Sequence, residues 1–191
     1  MKRLLITLAV ALLVIPVGID AKDMNRKYGL GYFNTDAPVG GRIWVSPTIG
    51  IDLGVGFEGK TIYESANGGD PEKSTATSFW FEAGVPIVVF PSERANFFIR
   101  PGVQVASLDN RIYGEGPSDA KWTRITPSAT LGAEVFFGDH FSLEAGHGIA
   151  VDITSVPDED GITEVRRGES ETEFRTFDAS IAYLGFHFYF R

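Results

Sequence analysis

From residue 26 onward the chain alternates bulky apolar residues with small or polar ones, stretch after stretch. Over 95–108 one parity carries Phe97, Ile99, Pro101, Val103 and Val105, and the other Phe98, Arg100, Gly102, Gln104 and Ala106. A period of two sends successive side chains to opposite faces, so this pattern predicts a strand with one apolar and one polar face. Over 123–138 the apolar parity is Ile125, Pro127, Ala129, Leu131, Ala133, Val135 and Phe137, against Thr126, Ser128, Thr130, Gly132 and Glu134. The same alternation predicts strands over 49–58, 79–89 and 141–153, and a last one ending on Ala182, Leu184, Phe186, Phe188 and Phe190. No stretch of this part of the chain has helical periodicity.

The connections alternate in length. Residues 46–48, 91–94 and 138–140 read as tight turns, whereas 65–75, 113–120 and 156–171 are longer and rich in Gly, Pro, Asp, Glu and Ser. Two short strands, 28–33 and 39–45, joined around 34–38, precede the first tight turn. The expectation is an all-β chain: an eight-stranded antiparallel up-and-down transmembrane barrel with both termini on the tight-turn side.

The first residues differ. Lys2 and Arg3 precede an apolar run over 4–14, and Pro16, Gly18 and Ala21 follow it, which is the layout of a secretory signal peptide. The run is shorter than the ~20 residues of a spanning helix. Cleavage is expected after Ala21, dividing the chain into a signal peptide (1–21) and a barrel domain (22–191). Removing 21 of 191 residues leaves 170, and removing Lys2, Arg3 and Asp20 takes the net charge from −8 to −9. An acidic chain without a basic run offers nothing to nucleic acid. With no cysteine, an exported protein must be held by something other than disulfides, and a closed β-ladder is one such means.

Alternation alone also fits a soluble, lipocalin-like periplasmic binding barrel with its apolar face inward. Three features favour the membrane. The polar parity is rich in glycine and small residues while the apolar parity is bulky, and an eight-stranded interior is only just wide enough for side chains. Aromatics concentrate near the tight-turn ends (Trp44, Phe90, Phe97, Phe137, Phe141, Phe188, Phe190) and toward the loop ends (Tyr32, Phe57, Tyr63, Phe79, Phe81, Trp122), as interface girdles do. The terminal run Tyr183 to Phe190 resembles the strand that the outer-membrane insertion machinery recognises, departing from it only in the Arg191 that follows. Together these residues resemble the small OmpA/OmpX-like outer-membrane barrels, including opacity-type surface proteins, over about 26–191. The resemblance implies a side-chain-plugged barrel in the outer membrane. Its partners would be outer-membrane lipid and lipopolysaccharide, the barrel-assembly machinery during insertion, and an extracellular ligand reached through the loops. Fold analogy does not itself give function.

Seven charged residues fall on the inward parity: Arg42, Asp52, Glu58, Glu82, Arg100, Glu134 and Glu144. They read as internal ion pairs filling a narrow barrel, with a gated pore or proton path as the rival. Arg100 is expected to pair with some of Glu82, Glu134 and Glu144, and Arg42 with Asp52 or another acid, because an unpaired buried charge is costly. His147 falls in register with the apolar face. It suggests a β-bulge eased by Gly146 and Gly148, a contact to a protein partner, or an outer-wall lipid A or phospholipid hydrolase. The hydrolase barrels place a Ser two residues after the His, where this chain has Ile149. His140 and His187 lie apart, and no metal-ligand spacing links the three histidines. Gly29/Gly31 and Gly54/Gly56 follow strand alternation and are not a nucleotide loop. Asp158-Glu159-Asp160 lacks a dedicated Ca²⁺ pattern. No cofactor and no metal are expected. The reading is a non-enzymatic structural or surface-interaction barrel; the alternatives are the His147 lipid hydrolase and the soluble binding barrel.

Overall fold

The computed structural model describes residues 22–24, 27–32, 36–64, 72–113, 121–155, 170–175 and 182–190. The expected signal segment, and most of the loops 65–75, 113–120 and 156–171, lie outside them. The described strands are β1 (Tyr28–Tyr32), β2 (Val39–Trp44), β3 (Gly50–Glu64), β4 (Glu72–Gly84), β5 (Ile87–Pro91), β6 (Ala95–Asp109), β7 (Lys121–Phe136), β8 (Phe141–Ser155), β9 (Ser170–Arg175) and β10 (Tyr183–Phe190). A single helical turn, α1 (Asn110–Tyr113), follows β6.

All pairings are antiparallel, in the order β10–β1–β2–β3–β4–β6–β7–β8–β9. β5 continues β4 alongside β6, and β10 continues β9 alongside β8, so ten segments fill eight positions. β10 also pairs with β1, from Tyr28↔Phe190 to Tyr32↔Phe186, and closes the barrel. The stretch expected as one strand over 79–89 is split at Pro86, which has no N–H to give a ladder. The same deficiency at Pro127 removes two pairs from the β7–β8 ladder, between Ile125↔Ile153 and Ser128↔Ala150, without shifting its register. The hairpin of β3 and β4 continues to Glu64↔Glu72, so part of the expected 65–75 loop is strand.

The three tight turns form where expected. Ser46 Oγ accepts from the Ile49 amide at 3.0 Å, Ser92 Oγ from the Ala95 amide at 3.0 Å. Gly138 adopts a φ of +81°, which a side chain would oppose.

The faces are inverted relative to a soluble protein. Leu30, Leu131 and Leu184 are each more than 60% exposed on the outer wall, whereas Arg42, Asp52 and Glu134 are fully buried inside. Val103 and Val135 also point outward. Phe90, Phe97, Phe137, Phe188 and Phe190 are exposed near the tight turns, and Phe57, Tyr63, Phe79 and Phe81 toward the other end. Two expected girdle residues do not belong there. Trp44 is buried in the lumen with Met24, Val88, Phe98, Phe136 and Tyr189, and Trp122 packs against Trp80, Ala106 and Leu108. Both sit on the inward parity, and a position near a strand end does not by itself say which face a ring occupies.

The Met24 cluster closes the tight-turn mouth. Lys22 reaches across it, its amide donating to Ser92 O at 3.4 Å and its ammonium pairing with Asp139 at 3.5 Å. The Trp44 amide donates to Lys27 O at 3.0 Å.

Inward glycines make room for the large side chains. A Cβ built on Gly84 would lie 2.5 Å from Arg100 Cζ, and one on Gly146 2.6 Å from a Tyr183 ring carbon. At Gly148 a Cβ would run into the Ala129 carbonyl oxygen, a backbone atom that cannot swing away. Gly148→Ala is therefore expected to cost about 1–3 kcal/mol. Gly59→Ala, with nothing within 4 Å, should stay within about 0.5 kcal/mol. Urea unfolding of the folded chain measures both.

Candidate functional site

The register of the barrel assembles the lumen charges. Arg42 of β2 lies directly opposite Asp52 of β3, and Glu134 of β7 directly opposite Glu144 of β8. Two like charges facing each other across a ladder repel. Arg42 resolves this by reaching across the barrel. Its Nη1 donates to Glu144 Oε2 at 2.5 Å and to Glu134 Oε2 at 3.3 Å, while Nε and Nη2 hold Asp52 at 2.6 and 2.8 Å. Arg100 Nε donates to Asp52 Oδ2 at 2.6 Å, and its Nη1 pairs with Glu82 at 2.7 Å. Asp52 thus bridges both arginines, a link the sequence assigned only to Arg42. Arg100 takes Glu82 but not Glu134 or Glu144, which belong to Arg42.

Hydroxyls complete the network. Tyr189 donates to Glu134 at 2.6 Å, Tyr183 to Glu144 at 2.6 Å and Ser142 to Glu134 at 2.5 Å. The Arg42 guanidinium lies 5.6 Å from the ring centres of both Trp44 and Phe98, within cation–π range. A buried ion cluster needs this many partners, because desolvation otherwise exceeds the Coulombic return.

Six of the seven expected lumen charges are brought together. Glu58 is the exception: it shares their face but is exposed. It pairs with Ser78 beyond the last β2–β3 pair, Val39↔Val55, and beyond the β4–β6 ladder, which ends at Phe79↔Ser107. Parity fixes the face of a residue but not whether the barrel still surrounds it.

His187 joins the lumen charges, although the seven expected residues do not include it. It is fully buried, with Nδ1 at 3.6 Å from Glu134 Oε1 and 3.8 Å from Glu144 Oε2. Its place was legible in the alternation of Tyr183, Gly185, His187 and Tyr189 against Leu184, Phe186, Phe188 and Phe190. Glu134, Glu144 and His187 each offer one ligand atom, all within 4.8 Å of one another.

A second, looser charge group lies above. Thr126 donates to Asp152 at 2.6 Å, and Arg124 stands 3.9 Å from Asp152 and 3.8 Å from Asp36. At the loop rim, Asp109 accepts from Arg111 Nε at 3.0 Å, Nη2 at 2.9 Å and the Arg111 amide at 3.1 Å. These bonds, first of all those from the Arg111 side chain, hold the Asp109 carboxyl below its ordinary range.

His147 is exposed on the outer wall opposite Leu131, in a hollow of about 380 Å³ lined also by Ile99, Ala129 and Ile149. The ladder runs through Leu131↔His147 without a shift, so the bulge reading is withdrawn. Its neighbours along β8 on the same face, Ala145 and Ile149, carry no nucleophile. His140 sits at a turn, its Nδ1 2.9 Å from Tyr189 O.

Removing Arg42 would take the guanidinium from Glu134 and Glu144 and leave Asp52 to Arg100 alone, so Arg42→Ala is expected to cost about 3–5 kcal/mol. Arg94→Ala, at an exposed turn, should change stability by no more than about 0.5 kcal/mol in the same urea titration. Asp109 has a depressed folded-state pKa, so its contribution is present above the ordinary carboxylate range, near pH 4, and is lost as pH falls through the folded value. Protection of the Thr77 and Arg111 amides from hydrogen exchange, taken relative to the intrinsic rate, should fall across that acid window, and Asp109→Asn should abolish the step.

A scan against protein-family models finds no match to this chain, and searches of curated proteins and of solved structures find none either.

Proposed function

We propose that the chain is an exported outer-membrane β-barrel with a structural or surface-interaction role and a plugged lumen, its specificity carried by the extracellular loops. One observation carries this reading. The wall is apolar outside and charged inside, and the charges are mutually paired rather than lining an open space. A soluble binding barrel would hold an apolar ligand inside, but this interior is filled by Arg42, Arg100, Tyr183, Tyr189 and their acids. The exposed aromatic rows at the two ends of the wall suit the two interfaces of a bilayer. The partners follow from this reading: membrane lipid and lipopolysaccharide against the wall, the assembly machinery at the β10 seam, and a ligand on the loops. The hydrolase alternative gains no support among the described residues: a general base needs a nucleophile within reach, and Ala145 and Ile149, beside His147 along β8, carry none.

The mature chain is expected in outer-membrane fractions and to need detergent for solubility. A soluble monomer in plain buffer overturns the reading. Leu131→Arg should cost about 2–4 kcal/mol if the position is near the bilayer midplane. In planar bilayers the wild type should show no steady porin-like conductance, because closing eight strands leaves room for side chains and little else. Large continuous currents would instead make the lumen charges a selectivity filter.

A further inference from the structure

The β3–β4 ribbon rises past the ring. β2 leaves β3 at Val39↔Val55 and β6 leaves β4 at Phe79↔Ser107, but β3 and β4 stay paired as far as Glu64↔Glu72. Bonds at the foot of β3 show which way its backbone groups point. The Ile49 carbonyl accepts from the Val45 amide at 3.0 Å, on the β2 side, and the Gly50 amide donates to Pro86 O at 2.9 Å, on the β4 side. The β3–β4 register then runs unshifted from Asp52 to Glu64. Alternation therefore turns the amides and carbonyls of Phe57, Gly59, Thr61 and Tyr63 away from β4.

The two edges of the ribbon differ. On β4 the Thr77 amide donates to Asp109 Oδ2 at 3.3 Å and Thr75 O accepts from Arg111 Nη2 at 3.2 Å, so outgoing groups are met by side chains. Along β3, among the described residues, no strand pairs with the far side beyond Val55. Phe57 and Tyr63 are 79% and 66% exposed there, and Gly59, Lys60 and Thr61 are exposed as well. An edge of this kind is a template for another strand.

The order of residues along the edge selects that strand. Consider the edge paired antiparallel with its own copy. A centre on Lys60 sets Lys60 against Lys60, and one on Thr61 sets Glu58 against Glu64, so like charges meet in both. A centre on Gly59 brings Tyr63 to Val55, whose edge Val39 already occupies. A centre on Tyr63 sets Ile62 against Glu64. A centre on Ile62 sets Ile62 against Ile62, Thr61 against Tyr63 and Lys60 against Glu64. Apolar, aromatic–β-branched and opposite-charge pairs are the kinds that stabilise a sheet. Within the chain Glu64 stands opposite Glu72, so Lys60 of a second copy arrives where like charges meet.

We propose that residues 60–64 of β3 form a self-recognition edge, which pairs antiparallel with the same edge of a second copy of this chain. The paired strands run in opposite directions, so the two barrels stand head to head. With the loop ends outside the cell, the second copy sits in a facing membrane and the contact joins two surfaces. That consequence rests on the outer-membrane reading; the pairing does not.

Lys60→Glu and Glu64→Lys test the register in the full mature chain, by sedimentation of the folded protein and by clustering of phosphatidylcholine vesicles that carry it. Wild type should self-associate. Each single variant sets like charges opposite one another and should associate about tenfold more weakly. An equimolar mixture of the two restores both opposite-charge pairs and should associate as wild type does. The chain has no cysteine, and residues opposed at a non-hydrogen-bonded pair lie within disulfide reach. Ile62→Cys should therefore form a covalent dimer on mild oxidation, whereas Lys73→Cys, on the far strand of the ribbon, should not. Wild type that stays monomeric, single variants that associate as wild type does, or a mixture no stronger than its parts overturns the pairing. Dimers in solution beside vesicles that hold the chain without clustering overturn the facing-membrane consequence. Dimers of a chain that never enters vesicles uphold the pairing and overturn the membrane reading instead.

Discussion

The Arg42 guanidinium, fully buried and bonded to acids from three other strands, is the constraint on which the rest of the lumen depends. A buried cation must be matched, so Asp52, Glu134 and Glu144 converge on it. Those acids must themselves be satisfied, which brings in Arg100, Ser142, Tyr183 and Tyr189. Side chains of that size fit inside eight strands only where the facing positions are glycine, as at Gly84 and Gly146. With the middle of the interior committed to charge and glycine, most bulky apolar residues go to the outer wall, and those inside gather around Trp44 and around Trp80. The inverted faces and the ion network are one arrangement seen from two sides.

Much of this was legible because a strand has a strict period. The parity that carries Arg100, Gly102 and Gln104 inward is fixed by chain geometry alone, and the tight turns at Ser46, Ser92 and Gly138 announce themselves by residue type. Parity also places His187 and Trp44 inside, although residue class points the other way: a tryptophan near a strand end suits an interface girdle, and a lone histidine has no ligand spacing to mark it. Two kinds of information were not in the pattern. One is height along the barrel, which separates Glu58 from Glu82 although both share a face. The other is which strands stand across the lumen from one another. Arg42 meets residues 92 and 102 positions later. No local spacing encodes that; it follows from ring closure and stagger.

Sequence reading also gave no sign of the plug at the tight-turn mouth. Met24 lies in a short segment without alternation, and its burial depends on the space left between Trp44, Phe98 and Phe136. That segment is the kind of irregular piece whose position is set by what it covers.

The facing pair Glu134 and Glu144 bears on the order in which the molecule can assemble. The β7–β8 hairpin joins neighbours in sequence by a short turn, and such hairpins form in microseconds when nothing opposes them. Here the pairing sets two acids side by side, and their main counter-charge is held on β2, near the other end of the chain. The hairpin acquires its full stability only once β2 has come around the ring. Local pairing in the C-terminal half is thereby made conditional on long-range closure with the N-terminal half. A half-built sheet is penalised, and the transition to the finished cylinder is pushed toward a single cooperative event.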